Sequence, residues 1–118
     1  MIDSGSRLVV MAENDTGGIS WYHDVFVFAQ DTPYSFKTVE DFNCDSNRGL
    51  LESPLFMINH WVTPALAEAG SQANSAESLL ERIDVCQETR GMSPNILAVD
   101  FYNRGDTLEI VKDLNRGQ

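Results

Sequence analysis

The sequence predicts an α/β domain with a parallel sheet, and two observations support this fold class. Three short apolar runs are typical of strands buried on both faces: "RLVVMAEN", "PLFMINHW" and "NILAVDFY". Two segments with the spacing of amphipathic helices flank the last of these strands. Apolar strands that alternate with helices indicate a parallel sheet with the helices packed outside it.

The length and the charge of the chain limit the classes of function. A chain of 118 residues is about one small domain. Its net charge of -10 and its eight Lys and Arg residues argue against nucleic acid as a partner, because phosphate backbones are bound by basic side chains. The first residues lack the basic segment of a signal peptide. The chain is therefore expected to begin almost directly in core structure, with Met1 not the start of the whole domain.

The segments between the clear strands are less regular. "TGGISWYHD" is predicted to be a loop because of its paired glycines, and "VFVFAQDTPYSF" to begin as a strand that Pro33 ends. "KTVEDFNCDSNRG" is predicted to be irregular or to hold one short helical turn. "VTPALAEAGSQANS" is predicted to be a long loop with a helical turn.

The two helices have end signals in the sequence. For the first helix, Asn74 is the predicted N-cap, with Glu77 completing a capping-box pair, and Gly91 fits the position after the last turn. Its one-sided apolar stripe comprises Leu79, Leu80, Ile83 and Cys86. The second helix is predicted to begin after Asp106. Its predicted apolar face comprises Leu108, Val111 and Leu114.

Polar side chains follow the predicted strands at their C-terminal ends, where parallel α/β folds carry their chemistry. They are Glu13, Asn14, Asp31, Asn59, His60 and Asp100. Some have structural alternatives: Glu13 as a loop cap, Asp31 as the start of a turn, and His60 as a hydrogen-bonded core histidine. Asp100 follows four apolar residues. Because a buried carboxylate is costly unless it is paired, a functional or partner-orienting role is favoured for Asp100.

The two cysteines, Cys44 and Cys86, have a separation that does not match the CxxC motifs of metal or redox sites. They are interpreted either as two buried thiols or as one disulfide, which would require an oxidising compartment. The sequon that begins at Asn14 fits a secreted protein.

Several segments also form a recognisable series along the chain: "RLVVMAEN", "DTPYSF", "CDSNRG", "FMINHWVTP" and "PNILAVDFYNRGDTLEIVKDLN". In order and spacing this series resembles the C-terminal half of proteins with a phosphatidylinositol-specific phospholipase C (PI-PLC) X domain. The resemblance implies a partial TIM barrel of the phospholipase C-like phosphodiesterase type. Residues 1–118 would then be the C-terminal half of the barrel domain, with the N-terminal half absent.

The resemblance implies a phosphoric diester hydrolase that cleaves inositol phosphodiesters. In the family, the inositol 2-hydroxyl attacks phosphorus with one histidine as general base and another as general acid. Both belong to the first half of the barrel. His23 and His60 do not match that motif, so the full-length protein is the expected enzyme and this chain alone is expected to be inactive.

Roles for individual residues follow from the same resemblance. Asp100 matches the carboxylate that orients the general-base histidine. Asp31 matches a contact to inositol hydroxyls and Tyr34 a stacking contact, with Pro33 inserted between them. Glu13 falls where relatives hold a ligand-contacting residue. It is expected to bind hydroxyls or to help hold Ca²⁺ as in calcium-dependent relatives; no other cofactor is expected. The substrate-binding set is completed by the strand-end residues Asn59 and His60.

The resemblance also bears on partners and location. Cys44 and Cys86 match cysteines common in the bacterial, fungal and plant branch of proteins with this X domain, which favours the disulfide and an extracellular or secretory-pathway protein. The expected partner is an inositol phospholipid or a related phosphodiester. A half-barrel exposes sheet edges, so association with the missing half or with itself is also expected.

Two classes of protein are alternatives to the enzyme fragment. One is a non-catalytic module that binds inositol or sugar headgroups, or a decayed half-barrel. The other is a glycerophosphodiester phosphodiesterase, which would need a set of metal-binding carboxylates and a histidine pair.

Overall fold

The computed structural model describes Gly5 and residues 8–116 of the chain. The strands are β1 (Val10–Ala12), β2 (Tyr22–Asp24), β3 (Ala29–Asp31), β4 (Leu55–His60) and β5 (Ile96–Val99). The helices are α1 (Val25–Phe28), α2 (Ala67–Ala73), α3 (Ala76–Arg90) and α4 (Thr107–Arg116), with a 3₁₀ turn at Val39–Asp41. None of these described helices is long and apolar enough to cross a membrane.

All strand pairs between these elements are parallel, which confirms the predicted class of α/β fold with parallel strands. β1 pairs with β2, and β3, β4 and β5 form a separate sheet in that order. In that sheet Asp31 pairs with Met57, and His60 pairs with Val99. The C-terminal ends of β3, β4 and β5 therefore lie along one edge, with β4 reaching three residues beyond the end of β3.

Two segments near β2 differ from the prediction. Residues 22–24 of the predicted loop form strand β2, and Val25–Phe28, predicted to be strand, form the single helical turn α1. The reason is local: the Asp24 carboxylate accepts a hydrogen bond of 2.9 Å from the Phe26 backbone N–H. Such an N-cap starts a helix regardless of apolar pattern. Of "RLVVMAEN", only residues 10–12 form β1, and Arg7 lies outside the described residues.

Helix α3 follows the prediction except at its cap. The cap is Ser75, whose hydroxyl accepts from the Ser78 backbone N–H, and not Asn74, which ends α2. Gly91 ends the helix in the left-handed conformation, as predicted. Of the predicted stripe, only Leu80 is exposed; Leu79, Ile83 and Cys86 are buried.

Helix α4 presents a different face to the core from the one predicted. Ile110 is buried, whereas the predicted face is exposed, with 64% for Leu108, 36% for Val111 and 39% for Leu114. The physical reason lies at the start of the helix. The Asp106 carboxylate accepts a 2.8 Å hydrogen bond from the backbone N–H of Ala76, the first residue of α3. This link between the two helix starts constrains how α4 packs and directs Ile110 toward the sheet.

The core lies between the three-stranded sheet and α3, and the cysteines complete it. Its buried members are Cys44, Phe56, Ile58, Leu79, Ile83, Cys86 and Ile110. Cys44 and Cys86 form the predicted disulfide, which ties the segment after β3 to the middle of α3.

Replacing both cysteines by serine is expected to lower the free energy of unfolding by about 4 kcal/mol, because the bridge closes a loop of 42 residues. Urea denaturation of the double variant Cys44→Ser/Cys86→Ser would measure this loss. Wild-type protein unfolded in the presence of a reducing agent is the control and should match the variant. An unchanged unfolding midpoint in both would contradict the prediction.

Candidate functional site

A loop segment covers the edge of β3 that faces away from β4. The Asp31 backbone N–H donates to the Arg48 carbonyl at 3.0 Å, and the Asn47 N–H donates to the Asp31 carbonyl at 3.1 Å. Thr32, the residue that follows β3, donates through its backbone N–H to the carbonyl of Met57 in β4, on the opposite side of the strand. The segment around residues 47–48 therefore takes the place of a neighbouring strand and sets Arg48 beside Asp31.

Three features fix this loop. The disulfide anchors it at Cys44, and Arg90 of α3 donates to the carbonyls of Cys44 and Asp45 at 3.3 and 3.4 Å. Gly49 has a φ of +78°, and a Cβ there would lie 2.0 Å from the carbonyl oxygen of Ala29. Only glycine allows this approach of two backbones.

Asp31, which is buried, and Arg48, which is partly exposed, form an ion pair. The Arg48 Nε and Nη2 atoms donate to Asp31 Oδ2 at 2.9 and 2.6 Å, and the Arg48 backbone N–H donates to Oδ1 at 2.8 Å. The side-chain amides of Asn47 and Asn59 donate to the same carboxylate at 3.2 and 3.0 Å. Asp31 is 0% exposed. Its carboxylate is stable in the interior because it is both paired and fully hydrogen-bonded.

Arg48 extends this network to the surface. Its Nη1 donates to the carboxylate of Glu13, which follows β1. The guanidinium lies over the ring of Phe26 at 4.3 Å and the ring of Tyr34 at 4.7 Å, within cation–π distance. Burial alone would lower the pKa of Arg48, but the hydrogen bond and the charge of Asp31 outweigh it and raise this pKa.

A second polar position lies at the end of β5. Asp100 is half-buried, and the residue after it, Phe101, has a φ of +53°, which is uncommon for a residue other than glycine. The Asn74 side-chain amide donates to the Asp100 and Phe101 carbonyls at 2.8 and 3.3 Å. The Phe101 ring packs so closely on Gly70 that a Cβ there would lie 2.6 Å from it. Among residues 8–116, no group donates a hydrogen bond to the Asp100 carboxylate.

An aromatic stack connects the two polar positions. Tyr34 stacks on Trp61 with ring centroids 6.3 Å apart and planes 26° apart. Trp61 in turn lines a narrow cleft together with His60, Asp100 and Phe101. The sequence-based selection missed Trp61 and Arg48. Their signals were weak: Trp61 adjoins the selected His60, and Arg48 is one of only eight basic residues in the chain.

His60, the last residue of β4, is buried against α2. Its Nε2 lies 2.7 Å from the Ala73 carbonyl, and its ring contacts the Phe42 ring at 4.6 Å between centroids. Burial lowers the pKa of His60 to about 4; the Ala73 hydrogen bond opposes this and the charge of Arg82 reinforces it. His60 is therefore neutral at pH 7. Because a carbonyl can only accept, Nε2 carries the proton.

The predicted site residues thus fall into two groups. Glu13, Asp31, Tyr34 and Asn59 surround Arg48, whereas His60 and Asp100 lie at the cleft beside Trp61. Asp31, Asn59 and His60 are each at most 1% exposed. The exposed side chains that face solvent are those of Glu13 and Tyr34. The predicted ligand contacts of these residues stay predictions.

The described residues offer no group of three or more His, Cys, Asp or Glu side chains that could hold a metal ion. Ca²⁺ takes six to eight oxygen ligands, so several must converge. The two carboxylates that do approach each other, those of Glu13 and Asp31, share the positive charge of Arg48. Help from Glu13 in holding Ca²⁺ stays a prediction.

Parallel strands whose C-terminal ends carry a cluster of polar side chains define a protein of the α/β class. The family model PI-PLC X 1 matches residues 1–115, and the chain belongs to this family. A similar protein is the PI-PLC X domain-containing protein 1 of Arthroderma benhamiae, 27% identical over 131 residues of alignment. The match covers 98% of this chain but 43% of that relative. No solved structure matches the chain significantly.

The free energy of unfolding is expected to fall by about 3 kcal/mol between pH 6.5 and pH 4 through His60 alone. The folded-state pKa is the lower one, so in this range the unfolded chain binds a proton that the folded chain does not. Urea denaturation of His60→Gln across this range should show a correspondingly shallower dependence on pH. His23→Gln is the matched control and should retain the wild-type slope. A slope unchanged by His60→Gln would refute the assignment.

Gly49→Ala is expected to destabilise the chain by about 1–3 kcal/mol more than Gly18→Ala, the usual range for forced overpacking. Both glycines have a positive φ, but a Cβ at Gly18 would meet nothing within 4 Å. Comparing the two variants by urea denaturation therefore separates the backbone cost from the steric cost. Equal losses of stability would show that the loop yields at Gly49.

Proposed function

We propose that this chain forms the C-terminal half of a TIM-barrel phosphoric diester hydrolase that cleaves inositol phosphodiesters. Membership of the PI-PLC X family over residues 1–115 and the parallel strands support this proposal. The chain spans less than half of the length of the relative it matches. The remaining strands of the barrel and its catalytic histidines would come from the other part of the protein.

The observation that carries the proposal is the network around Arg48. The guanidinium is held by a buried carboxylate and lies over the ring of Tyr34, a residue that is 42% exposed, next to the exposed carboxylate of Glu13. Cyclic polyols are bound by carboxylates that accept from hydroxyls and by aromatic faces that cover C–H groups. Glu13 and Tyr34 can supply these two contacts to inositol. Asp31 and Asn59 lie below the surface. Asp31 holds Arg48 in place, and Asn59 donates a hydrogen bond to Asp31.

Asp100 would orient the general-base histidine. Its backbone is fixed by Asn74 and by the contact of Phe101 with Gly70, so its carboxylate is held at the rim of the sheet. A carboxylate at this position can accept from one nitrogen of an imidazole and stabilise the imidazolium that forms when the other nitrogen takes a proton. Because His60 donates to Ala73 and has a pKa of about 4, it is a poor base at pH 7.

The disulfide bears on the compartment in which the protein works. A bridge between Cys44 and Cys86 persists in oxidising compartments and is rare in the cytosol. This supports an extracellular or secretory-pathway protein that meets inositol phospholipids or related phosphodiesters. The exposed face of α4 supports contact with the other half of the barrel or self-association. A non-catalytic module that binds inositol headgroups is the alternative that the following experiment separates.

The experiment compares the 118-residue chain with the natural polypeptide captured from its source cells by an antibody to residues 76–90. Release of inositol phosphate from phosphatidylinositol vesicles is measured for both. The captured polypeptide is expected to be longer and active, and the chain alone inactive. In a recombinant copy of the longer polypeptide, Asp100→Asn should lower kcat by about 100-fold with little change in KM, in the range of general acid–base effects.

Two results would count against this proposal. Cleavage by the 118-residue chain alone would show that the chemistry does not need histidines from elsewhere. A longer polypeptide that binds vesicles but releases no product would favour the non-catalytic module. Asp113→Asn, on the exposed surface of α4, is the matched control for the loss of one carboxylate and should leave kcat unchanged.

A further inference from the structure

The two carboxylate partners of Arg48 are held very differently. Asp31 is 0% exposed and engages Nε and Nη2 of the guanidinium, with support from two asparagine amides. The side chain of Glu13 is 58% exposed and engages only Nη1. In the part of the chain that the structure describes, no other group accepts from Nη1. The Nε and Nη2 edge of the guanidinium therefore contacts a buried carboxylate, whereas Nη1 contacts a carboxylate that is exposed to solvent.

The energies of the two ion pairs differ accordingly. Loss of the Arg48–Asp31 pair would be costly, because it would leave the Asp31 carboxylate as an uncompensated buried charge. The exposed pair with Glu13 contributes little, because water and salt screen it. The Glu13 carboxylate can thus leave Nη1 at small cost, whereas Arg48 stays in place, held by Asp31 and by the rings of Phe26 and Tyr34.

We propose that the solvent-facing edge of Arg48 is an oxyanion subsite for a phosphate group, which the Glu13 carboxylate occupies when no ligand is bound. This inference rests on the proposed hydrolase function and adds the residue that recognises the phosphate of the substrate. It gives Glu13 a different role there, competition with the phosphate in place of a contact to inositol hydroxyls. Arginine suits this role because its planar fork of N–H donors matches the oxygens of phosphate and forms strong charge-assisted bonds. A carboxylate on that edge is the nearest protein analogue of such an oxyanion.

The charges around Arg48 determine whether Glu13 raises or lowers the affinity for phosphate. Arg48, Asp31 and Glu13 together carry a net charge of -1, which disfavours a phosphate. Once Glu13 moves into solvent, Arg48 and Asp31 balance each other, and the open edge of the guanidinium presents its donors to the ligand. Glu13 therefore competes with the phosphate and limits its affinity. The same carboxylate would have the opposite effect if it bound inositol hydroxyls, because its removal would then weaken binding.

The test measures binding of three probes to the 118-residue chain by calorimetry: inorganic phosphate, myo-inositol 1-phosphate and uncharged myo-inositol. Glu13→Gln is expected to bind both phosphate-bearing probes about fivefold more tightly than wild type, the equivalent of about 1 kcal/mol. Its affinity for myo-inositol should not rise. Glu88→Gln, on the exposed face of α3, is the matched control for the change in net charge and should leave all three affinities unchanged.

A second variant tests the arginine itself. Arg48→Lys keeps the positive charge beside Asp31 but loses the planar fork. It should lower the affinity for both phosphate-bearing probes about tenfold while circular dichroism confirms a folded chain. In wild type, titration with either probe should also shift the NMR signal of the Arg48 side-chain Nε–H, which reports the site independently of any variant that fails to fold.

The outcomes separate this inference from the proposed function. Tighter binding of myo-inositol 1-phosphate and inorganic phosphate by Glu13→Gln alone supports the subsite. If Glu13→Gln instead weakens myo-inositol and its phosphate equally, Glu13 contacts hydroxyls; the subsite is overturned and the inositol pocket stands. If Glu88→Gln has the same effect as Glu13→Gln, only the net charge matters and the subsite is overturned. If no phosphate-bearing probe binds any variant, the subsite is overturned, while the proposed function is decided by cleavage with the longer polypeptide.

Discussion

The ion pair of Asp31 and Arg48 is the interaction on which the site depends. A carboxylate with no exposure at the end of β3 is tolerable only because five donors reach it. Those donors come from the β3-flanking loop and from β4. The pair therefore joins segments far apart in the chain, and the disulfide at Cys44 and the contact of Gly49 with Ala29 bring the loop within reach of β3.

Much of the fold could be predicted because buried strands and helices show a local pattern of apolar residues in the sequence. The apolar runs that became β4 and β5, the end of α3 at Gly91, and the parallel arrangement all follow from periodicity and end signals. Helix α1 could not be predicted, because it begins at a single hydrogen bond from the Phe26 backbone N–H to the Asp24 carboxylate. The face of α4 was set by Asp106 bonding to another helix, which no pattern within α4 records.

The candidate site shows the same division. Residues at strand ends, such as Asp31 and Asp100, were found because topology alone places them along one edge. Arg48 was missed because its position depends on a loop that folds back over β3, and its partner lies 17 residues away in the sequence. Burial also bears on the prediction for Asp31: it was predicted to contact ligand, yet its side chain has no exposed surface and is paired with Arg48.

The position of Asn74 constrains how this part of the molecule can change over evolutionary time. Its side chain holds the end of β5, and its carbonyl accepts from Asp106 at 2.7 Å just before α4. A Cβ on Gly105 would lie 2.4 Å from that same carbonyl oxygen, and Gly70 has no room beside Phe101. Substitutions at these sites are therefore interdependent. The sequence around Asp100 can drift only through coordinated changes in three separate segments of the chain.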